Sequence, residues 1–385
     1  MNFKGYRREN GSIGVRNHIL ILSSTVCANH VADQIASKIK GTVAFCHSNG
    51  CGQLGIDMEQ TYNTLVGIGK NPNVAAVLVI GLGCESLPTQ RLYEEIKNTK
   101  KKVAYLSIQD SGGTLKTIKE GIKVISSWVK TIKKEKRIEA NISELSIGLE
   151  CGGSDATSGM IANPVVGHVS DVIVKLGGTS ILSETPELIG AEHILAKRAK
   201  TKEVADKILS IVHNFEEKAK SMGVDIRGVQ PSPGNIRGGI TTLEEKSLGC
   251  IHKAGRSTVN EVVGYAVPPS TKGLIIMDTT GFDVESMIGM IAGGSQIILF
   301  TTGRGTPVGT PIAPVIKITG NYQTFKKMPD NIDFNAGTII TGEQTKEKVV
   351  EELLKELILV ASGKSTKSEL LGHREVGITR IGPSI

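Results

Sequence analysis

No apolar run in this chain of 385 residues approaches the ~20 residues that a membrane-spanning helix requires. The start, Met1-Asn-Phe-Lys-Gly-Tyr-Arg-Arg-Glu9, also lacks the apolar core of a secretory signal. A membrane protein is therefore not expected, and the cytoplasm is the expected compartment. Aromatic residues are scarce, with one Trp, six Tyr and seven Phe, which leaves little for stacking on bases. The net charge of +7 is scattered, and its densest run, Lys130 to Arg137, reads as a solvated helix end and linker. That argues against a nucleic-acid partner and for a small anionic substrate drawn in by a mild positive field. Six cysteines over this length do not make a disulfide framework. No loop carries a clean GxxxxGK[ST] or GxGxxG pattern, so nucleotide binding is a weak reading.

What the sequence does have is a set of short apolar runs that end in cysteine or glycine. His18-Ile-Leu-Ile-Leu-Ser-Ser precedes Cys27, Gly41-Thr-Val-Ala-Phe precedes His47 and Cys51, and Val74-Ala-Ala-Val-Leu-Val-Ile precedes Cys84. A fourth run, Lys102 to Ile108, ends at Gln109-Asp110-Ser-Gly-Gly. Helix-like segments lie between them (28–40, 57–70 and 88–98), and this alternation predicts βαβ units around a buried parallel sheet. Cysteines just past parallel strands fall along the carboxyl edge, where ligands bind, so Cys27, Cys51 and Cys84 are candidate metal ligands. His47, four residues before Cys51, could join them or could hydrogen-bond to backbone. Cys46, inside a strand run, reads as core.

After Arg137 the pattern begins again, which suggests a boundary between a domain at 1–137 and another at 138–385. Strand-like runs at 145–149, 179–183, 273–277, 296–300, 315–318 and 338–340 each lead into polar or glycine-rich turns. Helices are expected at 189–200, 202–222 and 346–361, and 230–239 reads as an ordered loop. The fold class is α/β with two parallel-sheet domains. Glycine-rich turns suit recognition of carboxylate oxygens by backbone N–H groups. Cys151, in Glu150-Cys-Gly-Gly-Ser-Asp155, is a further candidate ligand. Cys250 reads as part of a helix end capped at Gly249 and ranks second as a ligand.

Seven motifs carry a resemblance that spans nearly the whole chain. They are Gly5-Tyr-Arg-Arg-Glu-Asn-Gly-Ser-Ile-Gly-Val-Arg-Asn17, His47-Ser-Asn-Gly-Cys-Gly52, Gly81-Leu-Gly-Cys-Glu85, Glu150-Cys-Gly-Gly-Ser-Asp155, Ser183-Glu-Thr-Pro-Glu187, the pair Pro233-Gly-Asn235 and Gly238 to Cys250, and Phe300-Thr-Thr-Gly-Arg-Gly305. Together and in this order they resemble the altronate and galactarate dehydratase family. The resemblance implies an iron-dependent sugar-acid dehydratase with a dimerising domain, here 1–137, and a variant Rossmann-like three-layer domain, here 138–385. It also implies a separate small SAF-domain subunit, since the chain begins directly at the Gly-Tyr-Arg motif, and a homodimer of the large subunit. The related sulfolactate sulfo-lyase, which eliminates sulfite, shares that two-subunit layout and is the alternative activity. A non-catalytic metal-carrying or regulatory subunit is a third reading.

Eliminating a β-hydroxyl from a hydroxy acid needs a base for the α-proton, stabilisation of the developing negative charge and an acid for the leaving oxygen. Glu184, Glu187 and His193 are candidate bases; Glu184, at a strand end before Thr-Pro, is the better placed carboxylate. Arg304 is the first choice for binding the substrate carboxylate through its planar fork, with Ser154, Asp155 and Gly305 beside the same turns. Arg8, Arg16 and Asn17, before the first strand, could close the site or could brace the N-terminus. For the metal, Cys27, Cys51 and Cys84 could hold a cluster with one open iron, whereas a single ferrous ion would prefer harder ligands such as Asp155, Glu184 or His193.

Overall fold

A computed structural model describes residues 1–385. The first strand, β1 (Asn2–Arg7), alternates exposed and buried residues and pairs antiparallel with β2 (Ile13–Gly14) and with β7 (Ile138–Asn141). This small sheet ties the start of the chain to the segment that follows the first α/β unit. No continuous apolar run marks this sheet, because β1 alternates exposed and buried residues.

Strands β3 (His18–Ser23), β4 (Thr42–Phe45), β5 (Val74–Gly81) and β6 (Lys102–Ser107) form a four-stranded parallel sheet in the order β4-β3-β5-β6. Its central strand, Val-Ala-Ala-Val-Leu-Val-Ile-Gly, is buried almost throughout, as expected when helices cover both faces of a parallel sheet. The helices Asn29–Lys38, Gly55–Lys70, Thr89–Lys97 and Thr114–Ile132 supply that cover.

The second sheet has seven parallel strands: β8 (Ser146–Cys151), β9 (Thr179–Leu182), β10 (Val259–Val263), β11 (Gly273–Met277), β12 (Ile297–Thr301), β13 (Val315–Thr319) and β14 (Phe334–Asn335). Their order is β10-β11-β9-β8-β12-β13-β14. From β8 the chain winds one way to β9, and from β12 it winds the other way to β13. The loops after β8 and β12 therefore diverge and leave a crevice at their carboxyl ends, where ligands of open α/β sheets bind.

Local differences from the sequence reading have physical causes. Residues 337–339 form a single 3-10 turn, and the edge strand is Phe334–Asn335, too short to leave a period. β10, absent from the expected strands, has its apolar run interrupted by Asn260 and Glu261. The helix expected at 189–200 is reduced to Glu192–Ala196. The Pro/Gly-rich stretch at 230–239 contains a short helix, Pro233–Arg237, opened by a Ser232/Asn235 capping box. Cys46 is half-buried rather than core.

The two parallel sheets share one apolar cluster, in which Leu20, Leu65 and Val77 join Ile275, Met290 and Phe300. Gly67 lies so close to the main chain of Ala292 that a Cβ there would fall 2.3 Å from its carbonyl oxygen. Beside it, the amides of Asn71 and Asn73 donate to the carbonyls of Ile291, Ser295, Gln296 and Ile312. No helix is long and apolar enough to cross a membrane.

Candidate active site at the end of strand β8

Glu150 and Cys151 are the last residues of β8, and both are buried. The neighbouring strand β9 ends at Leu182, and two residues later Glu184 adopts φ 68°, ψ 61°. A non-glycine residue in that left-handed region carries strain, which the surroundings must hold in place. They do so on three sides. Thr279 Oγ1 accepts from Glu184 N at 2.8 Å, while Glu184 Oε2 accepts from Cys151 N at 3.0 Å and from Lys253 Nζ at 2.5 Å.

Lys253 reaches this point from a segment 69 residues further along the chain. The helix Leu243–Ile251 is capped by Thr242, whose hydroxyl accepts from Glu245 N, and it runs into the 3-10 turn His252–Ala254. Lys246, Cys250 and Lys253 are spaced i, i+4, i+7 and so share one face. Lys253 is 0% exposed, and its ammonium lies 2.7 Å from Cys151 Sγ. Lys246 pairs with Glu187 at 3.0 Å, and the Cys151 thiol donates to the other oxygen of Glu187 at 3.1 Å. Cys250 Sγ is 4.0 Å from Cys151 Sγ.

Burial and these contacts set the protonation states. The nearby Cys250 thiol, and then burial, push Cys151 well above the usual thiol range. Burial raises Glu184, opposed by Lys253. Burial also acts to raise Glu187, but Lys246 and Lys253 outweigh it and hold the carboxyl below its usual value. Burial acts to lower Lys246, but the carboxylate of Glu187 keeps it above its usual value, as an ammonium. The pair Glu187⁻/Lys246⁺ is thus ionised in the resting site.

The pair opens onto a cavity of about 170 Å³ lined by Cys151, Ser154, Asp155, Glu187, Lys246 and His252, among others. One wall is a close crossing in which Gly159 and Gly249 approach so nearly that a Cβ on either would lie 3.1 Å from the other's Cα. Asp155 is fixed by donors from Ser158, Thr157 and Asn321. Cys151, Glu184, Glu187 and Cys250 bring one donor atom each within 4.8 Å of one another, a buried set that could hold a metal ion. Sulfur and oxygen together suit a borderline ion. In this arrangement their charge is met by the two lysines.

The residues singled out from sequence divide into groups. Cys151, Ser154, Asp155 and Glu187 line the cavity, and Glu184 lies behind Cys151. Arg304 is exposed, with its Cβ near Gly153 and its guanidinium donating to Gly234 O at 3.2 Å. Gly305 follows it at φ 87°. His193 is exposed on its short helix and does not line the cavity. Arg8, Arg16 and Asn17 sit at the amino end of β3, the opposite edge from the strand-end loops. Arg8 donates to Pro72 O, Asn17 and Arg16 O, and Arg16 to Glu369, Val360 O and Lys364 O. Those bonds make them a brace between the chain's two ends, which corrects the expectation that they close the site.

On the first sheet, Cys27, Cys51 and Cys84 are exposed free thiols on the loops at its carboxyl edge. Ser86 hydrogen-bonds to Cys51 at 3.7 Å and holds that thiol below its usual range, and Gln109 donates to Cys84. His47 is taken up by the backbone: one ring nitrogen meets Ser23 O at 2.9 Å and the other accepts from Asn49 N at 3.1 Å. With both nitrogens engaged it has no free lone pair for a metal, which corrects its place among the ligands. Cys250 is inside its helix, and the left-handed residue that ends the turn is Gly255 rather than Gly249.

Sequence reasoning missed Lys246, Lys253 and His252. The signal was present in the i, i+4, i+7 spacing of Lys246, Cys250 and Lys253, but lysines near a helix end ordinarily read as solvated.

Comparison with known proteins agrees over the full length. The family described as "D-galactarate/Altronate dehydratase, C-terminal" matches residues 142–384, and "D-galactarate dehydratase/Altronate hydrolase, second domain" matches residues 5–133. The chain is 38% identical over 394 residues to the altronate dehydratase of Bacillus subtilis, covering 100% of this chain and 78% of that protein. It is 37% identical over 381 residues to the (2R)-sulfolactate sulfo-lyase subunit beta of Chromohalobacter salexigens, covering 98% and 97%. It is 35% identical over 403 residues to the galactarate dehydratase (L-threo-forming) of Escherichia coli, covering 99% and 77%.

Proposed function

The chain belongs to the D-galactarate/altronate dehydratase family, and from that membership we propose that it is a hydro-lyase converting a sugar acid of the altronate or galactarate type to a 2-keto-3-deoxy acid. The observation that carries this reading is the ionised pair Glu187/Lys246, 3.0 Å apart on the wall of a polar cavity. A proton α to a carboxylate is a weak acid, and its removal needs a base beside a fixed positive charge. Lys246 binds the substrate carboxylate and stabilises charge as it develops there. Glu187, released from Lys246 by the incoming carboxylate, takes the α-proton. Ser154 and Asp155 orient the hydroxyls, and Arg304 draws the acid to the rim. Glu184 and Lys253 act behind Cys151 to hold the strand-end geometry.

Iron belongs to this proposal, and the residues that would hold it are Cys27, Cys51 and Cys84. Their thiols are free and exposed, whereas the charge of the buried Cys/Glu set is already met by Lys246 and Lys253. When bound there, an iron–sulfur cluster held by the three thiolates would supply Lewis acidity. We read 1–137 as the dimerising domain and 138–385 as the domain carrying the cavity. A small SAF-domain subunit is the proposed partner, a reading supported by the "subunit beta" designation of a relative that this chain matches over 97% of its length. Six free thiols favour a reducing compartment, the cytoplasm.

The same length match favours a second reading, release of sulfite from sulfolactate. Chain prepared anaerobically with ferrous iron, alone and with the small subunit, is assayed on altronate, galactarate and sulfolactate. A keto-deoxy acid is the expected product. Sulfite alone would transfer the assignment to the second reading, and neither product would refute both.

A further inference from the structure

After the helix Lys367–Leu371 the chain forms no further helix or strand, yet residues 378–385 are bound to both parallel-sheet units. Thr379 Oγ1 donates to Glu285 Oε2 at 2.8 Å, on the helix Asp283–Ala292. From the first unit, Gln60 Nε2 donates to Thr379 O at 2.7 Å and Asn49 Nδ2 to Ile378 O at 3.4 Å. Asp57, buried in the first turn of the helix Gly55–Lys70, accepts from Ile381 N at one carboxylate oxygen and from Gly382 N at the other, both at 2.7 Å. A buried carboxylate with both oxygens engaged by consecutive amides is a firm anchor, because hydrogen bonds to a charged group are the strong ones.

This strap reaches the turn that carries Cys51. The cysteine lies between Gly50 at φ 106° and Gly52 at φ 63°. Glycine admits many backbone conformations, so the direction of the thiol is set by whatever holds the peptides on either side. On the amino side Gly50 is held within the first unit: its N–H donates to Gln53, and its carbonyl accepts from Leu87 N. On the carboxyl side the hold comes from the strap. Gly52 O accepts from Arg380 Nη2 and from Ile385 N, each at 3.1 Å. Arg380 is itself oriented by its Nε, which donates to Gly382 O at 3.0 Å. Asp57 thus fixes Gly382, Gly382 orients Arg380, and Arg380 holds the peptide next to Cys51.

We propose that Arg380 and Asp57 are positioning residues for Cys51, and that they hold its thiol in the orientation in which it shares one metal centre with Cys27 and Cys84. This inference rests on the reading of those three thiols as the iron site. Ligands drawn from separate loops serve one centre only when each is held in place by its surroundings, and the groups behind a ligand control metal affinity almost as strongly as the ligand does.

Two measurements on the full chain test it, with Arg380→Ala, Asp57→Asn, Arg380→Lys and Cys51→Ser. In iron-free Cys27→Ser/Cys84→Ser protein a nitroxide is attached to Cys51. Its electron paramagnetic resonance spectrum is expected to narrow when Arg380→Ala or Asp57→Asn is added, as the turn is released. In protein with all three thiols, reconstituted anaerobically, Arg380→Ala and Asp57→Asn are expected to hold iron and inorganic sulfide at least about tenfold more weakly against a chelator, with circular dichroism unchanged. Arg380→Lys, which keeps a donor for Gly52 O, is expected to recover most of the iron. An unchanged nitroxide spectrum in both variants would overturn the strap's hold on Cys51. Iron lost by Cys51→Ser but kept by Arg380→Ala and Asp57→Asn would overturn the positioning role alone, and iron kept by Cys51→Ser would overturn the ligand reading and the positioning role with it.

Discussion

Lys253 Nζ lies 2.7 Å from Cys151 Sγ and 2.5 Å from Glu184 Oε2, with all three side chains closed off from solvent. One ammonium thus joins the end of β8 to the strained turn after β9. Removing it strands a buried carboxylate.

Lys253→Met is accordingly expected to destabilise the fold by about 3–5 kcal/mol, the usual cost of breaking a buried ion pair from one side. The double variant Lys253→Met/Glu184→Gln should recover part of that loss, because the leftover charge is gone. Urea denaturation of the two variants and the wild type checks both statements. Equal stability of Lys253→Met and wild type would remove the pair from the account.

The exposed Arg304 guanidinium has one hydrogen bond, donated to Gly234 O at 3.2 Å. Arg304→Ala is expected to raise KM for the sugar acid about tenfold with kcat within about twofold, the pattern of a contact made equally in ground and transition states. A fall in kcat with KM unchanged would place it at the chemistry instead.

His47 supplies a pH prediction. Burial, only partly offset by its bond to Ser23 O, lowers it from 6.5 to about 4, so it is neutral when folded. The unfolded chain takes up this proton below pH 6.5. Stability is therefore complete above 6.5 and falls as pH drops toward 4, by about 3 kcal/mol for this group. Denaturation midpoints measured from pH 7 to 4 should decline less steeply in His47→Gln.

The exposed thiols give a metal prediction. Cys27→Ser/Cys51→Ser/Cys84→Ser should lose iron and inorganic sulfide on anaerobic purification while keeping its thermal midpoint within about 3 °C, since exposed side chains contribute little to folding. Cys151→Ser should keep its iron. The reverse pattern would move the iron to the buried Cys/Glu set.

How much of this was legible in the sequence follows from burial. Nine of the strands announce themselves as continuous apolar runs because parallel strands are covered on both faces. β1, with its exposed–buried alternation, and β10, broken by Asn260 and Glu261, do not. Cysteine and glutamate at strand ends pointed to the cavity, since the carboxyl edge is fixed by topology. Lys246 and Lys253 were missed because a lysine's partner, here 59 residues away for Lys246 and 69 for Lys253, is set by the packing of a helix across the sheet and leaves no local mark. Arg8 and Arg16 misled for the same reason: their partners lie at Pro72 and Glu369.

The most direct test of the central claim compares wild type with Glu187→Gln, each assembled anaerobically with iron and the small subunit, for keto-deoxy acid formed from altronate or galactarate. Wild type is expected to form it, and Glu187→Gln to turn over about a hundredfold more slowly or less, the scale of a lost general base, with its fold intact. Undiminished turnover by Glu187→Gln would contradict the assignment of this cavity as the place where the proton is removed.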